Sequence, residues 1–239
     1  MLEPMLAAHA LTLVPDLPRW IEARALLLSG HSAIFGSAGE LIIRNDAAKG
    51  RLAVALGRAS ADSAGAILCD RPGRELMCPV DDGEHWLRVL PGWSAGEVLL
   101  YRLEQPSALA AESPGVKRLG VEHSLEHLPA ELREELEEAL PDHTVWCAFH
   151  EGSAASFAYS HWRTEGLFDI SIDTNPGHRR RGLARLAVSE LIRQEIAAGL
   201  QPVWGAMGSN SASQRLAHSL GFALVDKMLV LSQSAAKTS

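Results

Sequence analysis

A chain of 239 residues, 47% of them hydrophobic, can bury one large core or two smaller ones, and its formal net charge of -7 argues against nucleic acid or an anionic membrane surface as partner, since both demand a basic face. No apolar run is long enough to cross a bilayer, and Met1-Leu2-Glu3-Pro4 has neither the positive start nor the apolar core of a signal peptide, so a soluble, cytoplasmic protein is expected. Cys69, Cys78 and Cys147 stand isolated, without metal-ligand spacing, and read as reduced thiols that carry no chemistry.

In chain order, Trp20, Ala23, Arg24, Leu27 and Leu28 predict a helix over 18–29. Glu40 to Arg44 and Leu52 to Leu56 read as strands, with a short helix from Ala61 to Leu68. Glu75 to Cys78 reads as a strand, Asp82 to Leu90 as a helix, and Glu97 to Leu103, after Pro91-Gly92-Trp93, as another strand. The segment 105–115 holds Pro106 and Pro114 and lacks periodicity, which is how a linker or exposed crossing looks. The expected organisation is a smaller α/β domain at 1–104, a linker at 105–115, a second domain at 116–232 and a disordered tail at 233–239.

In the second half, Pro129 followed by Ala130 to Leu140 predicts a helix. Phe168, Ile170 and Ile172 alternate with polar residues over 167–174, as a strand requires. Leu183, Leu186, Ala187, Leu191 and Ile192 then recur at helical spacing, with Gly199 placed to end the helix. Between strand and helix runs His178-Arg179-Arg180-Arg181-Gly182-Leu183-Ala184. The first N–H groups of a helix lack partners, its dipole is positive there, and Gly182 lets a ligand approach the backbone. Three arginines at such a start are unfavourable without an anion, which points to a bound pyrophosphate. The turn lacks the Gly-Lys-Ser/Thr of a P-loop and the spaced glycines of a Rossmann turn. Pro202 to Met207 reads as the next strand, Asn210 to Leu216 as a helix, and Gly221-Phe222 as the entry to a terminal strand.

Arg179-x-x-Gly182-x-Ala184 resembles the acetyl-CoA-binding motif of the GNAT acyltransferase superfamily, and Asn210-Ser211-Ala212-Ser213-Gln214-Arg215-Leu216, ending at Gly221-Phe222, is similar to its second signature. The resemblance covers roughly 116–232 and implies an α/β GNAT fold over a mixed sheet. It further implies transfer of an acetyl group from acetyl-CoA to a primary amine of a small molecule, with no metal. By the same resemblance, pantetheine pairs with the strand at Ile172, Asp173 and Thr174. Arg179, Arg180, Arg181, Gly182, Leu183 and Ala184 hold the pyrophosphate, and Asn210 and Ser213 contact the pantetheine arm.

The chain departs from that pattern where proton transfer is concerned. The position of the family's tyrosine acid is Ala217 and that of its glutamate base is Phe168. Asp169 is the candidate base and His218 the candidate acid, and the departures support a rival reading as a catalytically weakened protein that binds or senses acyl-CoA. A remote alternative is zinc peptidase chemistry, since His123-Ser124-Leu125-Glu126-His127 matches His-x-x-Glu-His, though the motif works only on a helix. Trp86, Trp93, Tyr159, His161 and Trp162 are candidate walls of an aromatic acceptor pocket, with core packing as the competing role.

The first half also echoes the second. Leu87 precedes Trp93 by the same six positions that separate Leu216 from Phe222, with Gly92 and Gly221 in matching places. A degenerate repeat without the arginine-glycine turn is expected if the echo is real, shaping the acceptor cleft or docking a second copy of the chain as a homodimer.

Overall fold

The computed structural model describes residues 4–233. In chain order the elements are α1 Ala7–Leu13, α2 Ile21–Ser29, β1 Ser32–Ser37, β2 Glu40–Asn45, β3 Leu52–Gly57, α3 Ala61–Leu68, β4 Glu75–Pro79, α4 Gly83–Val89 and β5 Trp93–Leu103. There follow β6 Val116–Arg118, α5 Ala130–Ala139, β7 Trp146–His150, β8 Ser153–Tyr159, β9 Leu167–Asp169, β10 Ser171–Thr174, α6 Leu183–Ala197, β11 Gln201–Met207, α7 Ser211–Ser219 and β12 Phe222–Gln233. Two compact units share this chain: one takes the residues through Leu100, Ala206–Ser211 and those from Val225, the other Tyr101–Gly205 and Ala212–Leu224. The segment expected as a linker contains a short 3-10 turn, Pro106–Ala108, and falls inside the second unit. The tail expected from 233 starts on the last residue of β12, and its remainder, 234–239, lies outside the described residues.

In the first unit β1, β2 and β3 pair antiparallel, β3 and β4 pair parallel, and β12 runs antiparallel to β4 with Met228 opposite Pro79 and Ser232 opposite Glu75. Ile42, Ala53, Ile67, Leu76, Trp86 and Leu231 form the centre of its core. The helix α3 starts at Ser60, whose side chain accepts from the Ser63 N–H, an ordinary N-cap. The connection from β3 into α3 is closed by α4. Trp86 is fully buried and its indole N–H donates to Gly57 O at 3.2 Å, Arg58 pairs with Asp82 at 2.7 Å, and His85 Nε2 donates to Ala59 O at 2.7 Å.

In the second unit β6, β7, β8 and β10 form an antiparallel sheet in the order β10-β8-β7-β6, while β9 pairs parallel with β11. The helix α6 packs on β7, β8 and β10. The opposite face carries α5, whose Leu132, Leu136 and Ala139 join Cys147, Phe157 and Tyr159 in a second core. Gly199, at φ 91°, follows the end of α6 in the left-handed conformation that glycine adopts without strain.

One expected strand is two. The alternation over 167–174 holds, with Phe168 and Ile170 buried, but the strand breaks at Ile170. Residues 167–169 pair with Gln201–Val203, and residues 171–174 pair with Ser156–Tyr159. The two lines of backbone hydrogen bonds thus belong to different sheets, and β10 is an edge strand. The echo between the halves is also structural. The sequence β3–α3–β4–α4–β5 and the sequence β9/β10–α6–β11–α7–β12 each contain a parallel crossover pair, and Gly92 and Gly221 enter the last strands at φ 83° and 88°.

Candidate functional site

The strand β10 delivers the chain to the arginine-rich turn. Ser156 donates to Asp173 O at 3.0 Å and its hydroxyl lies 2.8 Å from that of Thr174, so the end of the strand is fixed from β8. Asn175 then caps a 3-10 turn, Pro176–His178, its side chain accepting from the Gly177 N–H. Arg180 has φ 62° and Gly182 φ 77°, so the backbone bends through two left-handed residues before α6 begins. Left-handed geometry costs an ordinary residue about 1–2 kcal/mol, and a non-glycine residue held there marks a backbone shaped by more than local preference.

Gly182 is the N-cap of α6, and no side chain caps the helix there. A Cβ built on Gly182 meets nothing within 4 Å, so the space above the cap is open. Its carbonyl accepts from Leu186, which leaves the N–H groups of the first turn aimed outward at the positive end of a 15-residue helix. Arg179, Arg180, Arg181 and Gly182 are exposed. Arg179 reaches back to Thr174 O at 3.4 Å, and Arg181 donates to His150 Nε2 at 2.7 Å. His150 closes β7 and its ring stands edge-on to that of His178, 5.4 Å away. His178 Nδ1 is buried and has no hydrogen-bond partner among the described residues. An open left-handed cap, outward N–H groups, exposed guanidinium groups and an orphaned imidazole nitrogen all fit a pyrophosphate. Next to them, Ile172, Asp173 and Thr174 lie half-buried on β10, whose outer edge has no strand beside it in its sheet. Leu183 is buried under the turn and anchors α6, while Ala184 is half-buried at its start.

The remaining expected residues have local partners. Asp169 Oδ1 accepts from the backbone N–H groups of His161 and Trp162, both at 2.8 Å, and from the Ser160 hydroxyl at 3.3 Å. Burial pushes its carboxyl up to about 6 against the pull of those donors. It fastens the 160–162 turn to the break in the strand. His218 Nδ1 donates to Phe222 O at 3.3 Å and its ring stands edge-on to Tyr101, which ties the end of α7 to the start of β12. Asn210 precedes α7, its N–H bonded to Met207 O, and the Ser213 hydroxyl accepts from the Trp204 indole at 2.9 Å. Phe168 and Ala217 are fully buried, and neither side chain can donate or accept a proton.

The zinc motif is not on a helix. His123 Nδ1 accepts from the Gly120 N–H, His127 Nε2 donates to Ala154 O, and 121–129 is irregular. Among the described residues no three His, Cys, Asp or Glu side chains are grouped to hold a metal ion. His123 instead lines a cavity of about 680 Å³ with Leu119, Val121, Leu125 and Leu140. Cys78 and Cys147 are buried and their thiols are pushed up to about 12 by burial, which keeps them protonated and inert. Of the aromatic residues, Trp86 and Trp93 are core, whereas Tyr159, His161 and Trp162 cluster beside the strand break. Sequence reasoning missed His150, which reaches the turn from β7 and carries no motif, and it missed Glu135 and His143, which lie against Tyr159.

Residues 146–231 match the family described as GNAT acetyltransferase. Solved structures similar to the chain include a putative GNAT acetyltransferase from Novosphingobium aromaticivorans, 23% identical, TM-score 0.63, covering 92% of this chain and 98% of that one. A GCN5-related N-acetyltransferase-like protein from Streptococcus suis is 17% identical at TM-score 0.68, with 96% and 98% covered. A tandem GNAT protein from the clavulanic acid biosynthesis pathway is 13% identical at TM-score 0.56, with 99% and 100% covered. A comparison with curated protein sequences gave no match.

Proposed function

The chain has the GNAT fold, and its residues 146–231 match that family; on this premise we propose that it transfers an acetyl group from acetyl-CoA to a primary amine of a small molecule. The observation that carries the reading is Gly182, an open left-handed cap at the start of α6, directly after the free edge of β10. The N–H groups of Leu183 and Ala184 and the guanidinium groups of Arg179, Arg180 and Arg181 suit a pyrophosphate there. The edge of β10 at Ile172, Asp173 and Thr174 offers backbone groups to an amide-bearing arm, as an added strand would use them.

When bound, acetyl-CoA supplies the acyl group as a thioester that an amine attacks directly. The protein then has to align the two reactants, take a proton from the ammonium form of the acceptor and polarise the carbonyl. Asp169, engaged by three donors, suits the task of holding the 160–162 turn better than that of a free base. Buried Phe168 and Ala217 favour the rival, a protein that binds acyl-CoA without turnover. Titration calorimetry with acetyl-CoA, followed by thiol release in the presence of amines, separates the readings. Binding with thiol release supports transfer, binding without it supports the rival, and no binding at millimolar ligand overturns both.

A further inference from the structure

The α5 face of β10 carries a group of titratable side chains outside the turn. Directly opposed residues of an antiparallel pair share a face, so Ser171 and Asp173 lie on the same side as Tyr159 and Phe157. That side is the one α5 covers, since Phe157 and Tyr159 pack with Leu132 and Leu136. The Tyr159 hydroxyl donates to Glu135 Oε1 at 2.6 Å. The ring of His143 lies 6.0 Å from that of Tyr159 and 5.4 Å from that of His161, which stands edge-on to Trp162 at 4.5 Å. Glu135 and His161 are exposed and His143 is half-buried, so the group meets solvent. On the opposite face α6 packs over β7, β8 and β10, leaving the α5 side as the approach for a second reactant.

The strand break fixes where that reactant would meet the first. Because β9 remains bonded to β11 as far as Asp169, an extended ligand lying along the edge of β10 from the turn stops at Ile170. Four residues of strand give it about 13 Å of edge. Ser171, the first residue past the break, is paired with Tyr159, so the inner end of the edge lies beside the cluster.

Resting on the acetyl-transfer reading, we propose that His161, backed by His143, takes the proton from the acceptor's ammonium group, and that Glu135 and Asp173 hold that ammonium, which makes the acceptor a cationic primary amine. The charged and titratable groups that act on the two imidazoles are Glu135 from α5, Asp142 beside His143 and Arg163, with the Tyr159 ring against that of His143, while Asp173 on β10 acts on Glu135 and Tyr159 and has Arg179 behind it. Burial, with Arg163, holds His143 below the ordinary histidine range against the pull of Asp142. His161 reaches solvent but its ring is flanked by those of His143 and Trp162, and this partial desolvation, with His143, lowers it in the same direction against Glu135. Both rings are therefore neutral near pH 7, the form that accepts a proton. Burial and the Glu135 charge push Asp173 up to about 6, a repulsion that a cation between the two carboxylates would relieve.

In the step itself the ammonium gives one proton to the imidazole, and the freed nitrogen lone pair attacks the thioester carbonyl carbon. As the C–N bond forms and the C–S bond breaks, a second nitrogen proton passes to the departing thiolate. The products are an amide, a thiol and an imidazolium that returns its proton to solvent.

The test uses the full chain with acetyl-CoA and three probe amines, putrescine, spermidine and tyramine, reading thiol release across pH and acetyl-CoA affinity by calorimetry. H161A should lower kcat/KM by about 10²–10⁴ with unchanged acetyl-CoA affinity. E135Q should raise KM for the amine and move the acidic limb of the pH profile to lower pH, because the carboxylate that raises the His161 pKa is gone. A loss of less than about threefold in H161A, an unmoved limb in E135Q, or no thiol release from any of the three amines while acetyl-CoA binds would each overturn the proposal. Failure of the wild-type chain to bind acetyl-CoA would instead overturn the reading on which it rests.

Discussion

At two positions, Ala217 and Asp173, burial decides what a substitution does. Ala217 is fully buried, and a tyrosine there would have to fit a close-packed core. The A217Y variant should lose about 1–3 kcal/mol of stability by overpacking and gain no rate, read from urea unfolding and thiol release. A variant as stable as wild type with faster turnover would return the phenol position to the site. Asp173 makes a signed prediction in the other direction. Its folded-state carboxyl is pushed up to about 6 by burial and Glu135, so the native state binds its proton more tightly than the unfolded chain does. Its contribution is therefore favourable below the unfolded pKa and is lost as pH rises through about 4 to 6. D173N should gain stability relative to wild type between pH 4 and pH 7; a difference that stays constant across that window would show that the carboxyl is not perturbed. Asp169, also pushed up to about 6, remains in both proteins and cancels.

At the scale of elements, α6 does more than present its first turn. Arg185 donates to Ala108 O, Arg193 to Ala110 O at 2.6 Å, and the Ser189 hydroxyl accepts from the Ala110 N–H at 2.9 Å, all of them securing the segment expected to be a linker. Ser189 is fully buried, so S189A strands that N–H and should cost about 1–3 kcal/mol. Limited proteolysis should then cut faster within 105–115, and an unchanged cleavage rate would mean that α6 does not hold the segment. Elements with strong local signals were legible in the sequence: α3 runs from Ala61 to Leu68 as the pattern predicts, and the arginine turn lies between strand and helix. The break at Ile170 was not, because alternation reports which face a residue occupies and says nothing about which neighbour its backbone bonds. The expectation stopped short for α1, β1, β7 and β8 too. In β8 the run Ala154, Ala155, Ser156, Phe157, Ala158 is buried on both faces, which erases the alternation. Glu135 and His143 were not legible as neighbours of β10 for a related reason, since they are linked to it through Tyr159 and its pairing with Ser171, across elements that carry no motif.

At the scale of the molecule, the chain repeats one supersecondary plan and carries the arginine-glycine turn only once. In the first unit Trp86, Arg58 and His85 close the connection that the second unit leaves open at Gly182. The units are not two consecutive pieces, because residues from Val225 onward belong with the first. A fragment ending at Glu104 lacks the β12 stretch that pairs with β4, and with it Leu231 from the centre of the core. That fragment should show no cooperative thermal transition by circular dichroism, whereas a sharp transition would mean that residues 1–104 fold without β12. The central claim, that the turn at Gly182 binds the diphosphate of acetyl-CoA, is tested most directly by titrating wild type and G182E with acetyl-CoA in a calorimeter. Wild type should bind with one site per chain, and G182E, which places a negative charge in the open space at the cap, should stay folded and give no binding heat. Equal affinity in the two proteins would contradict the account.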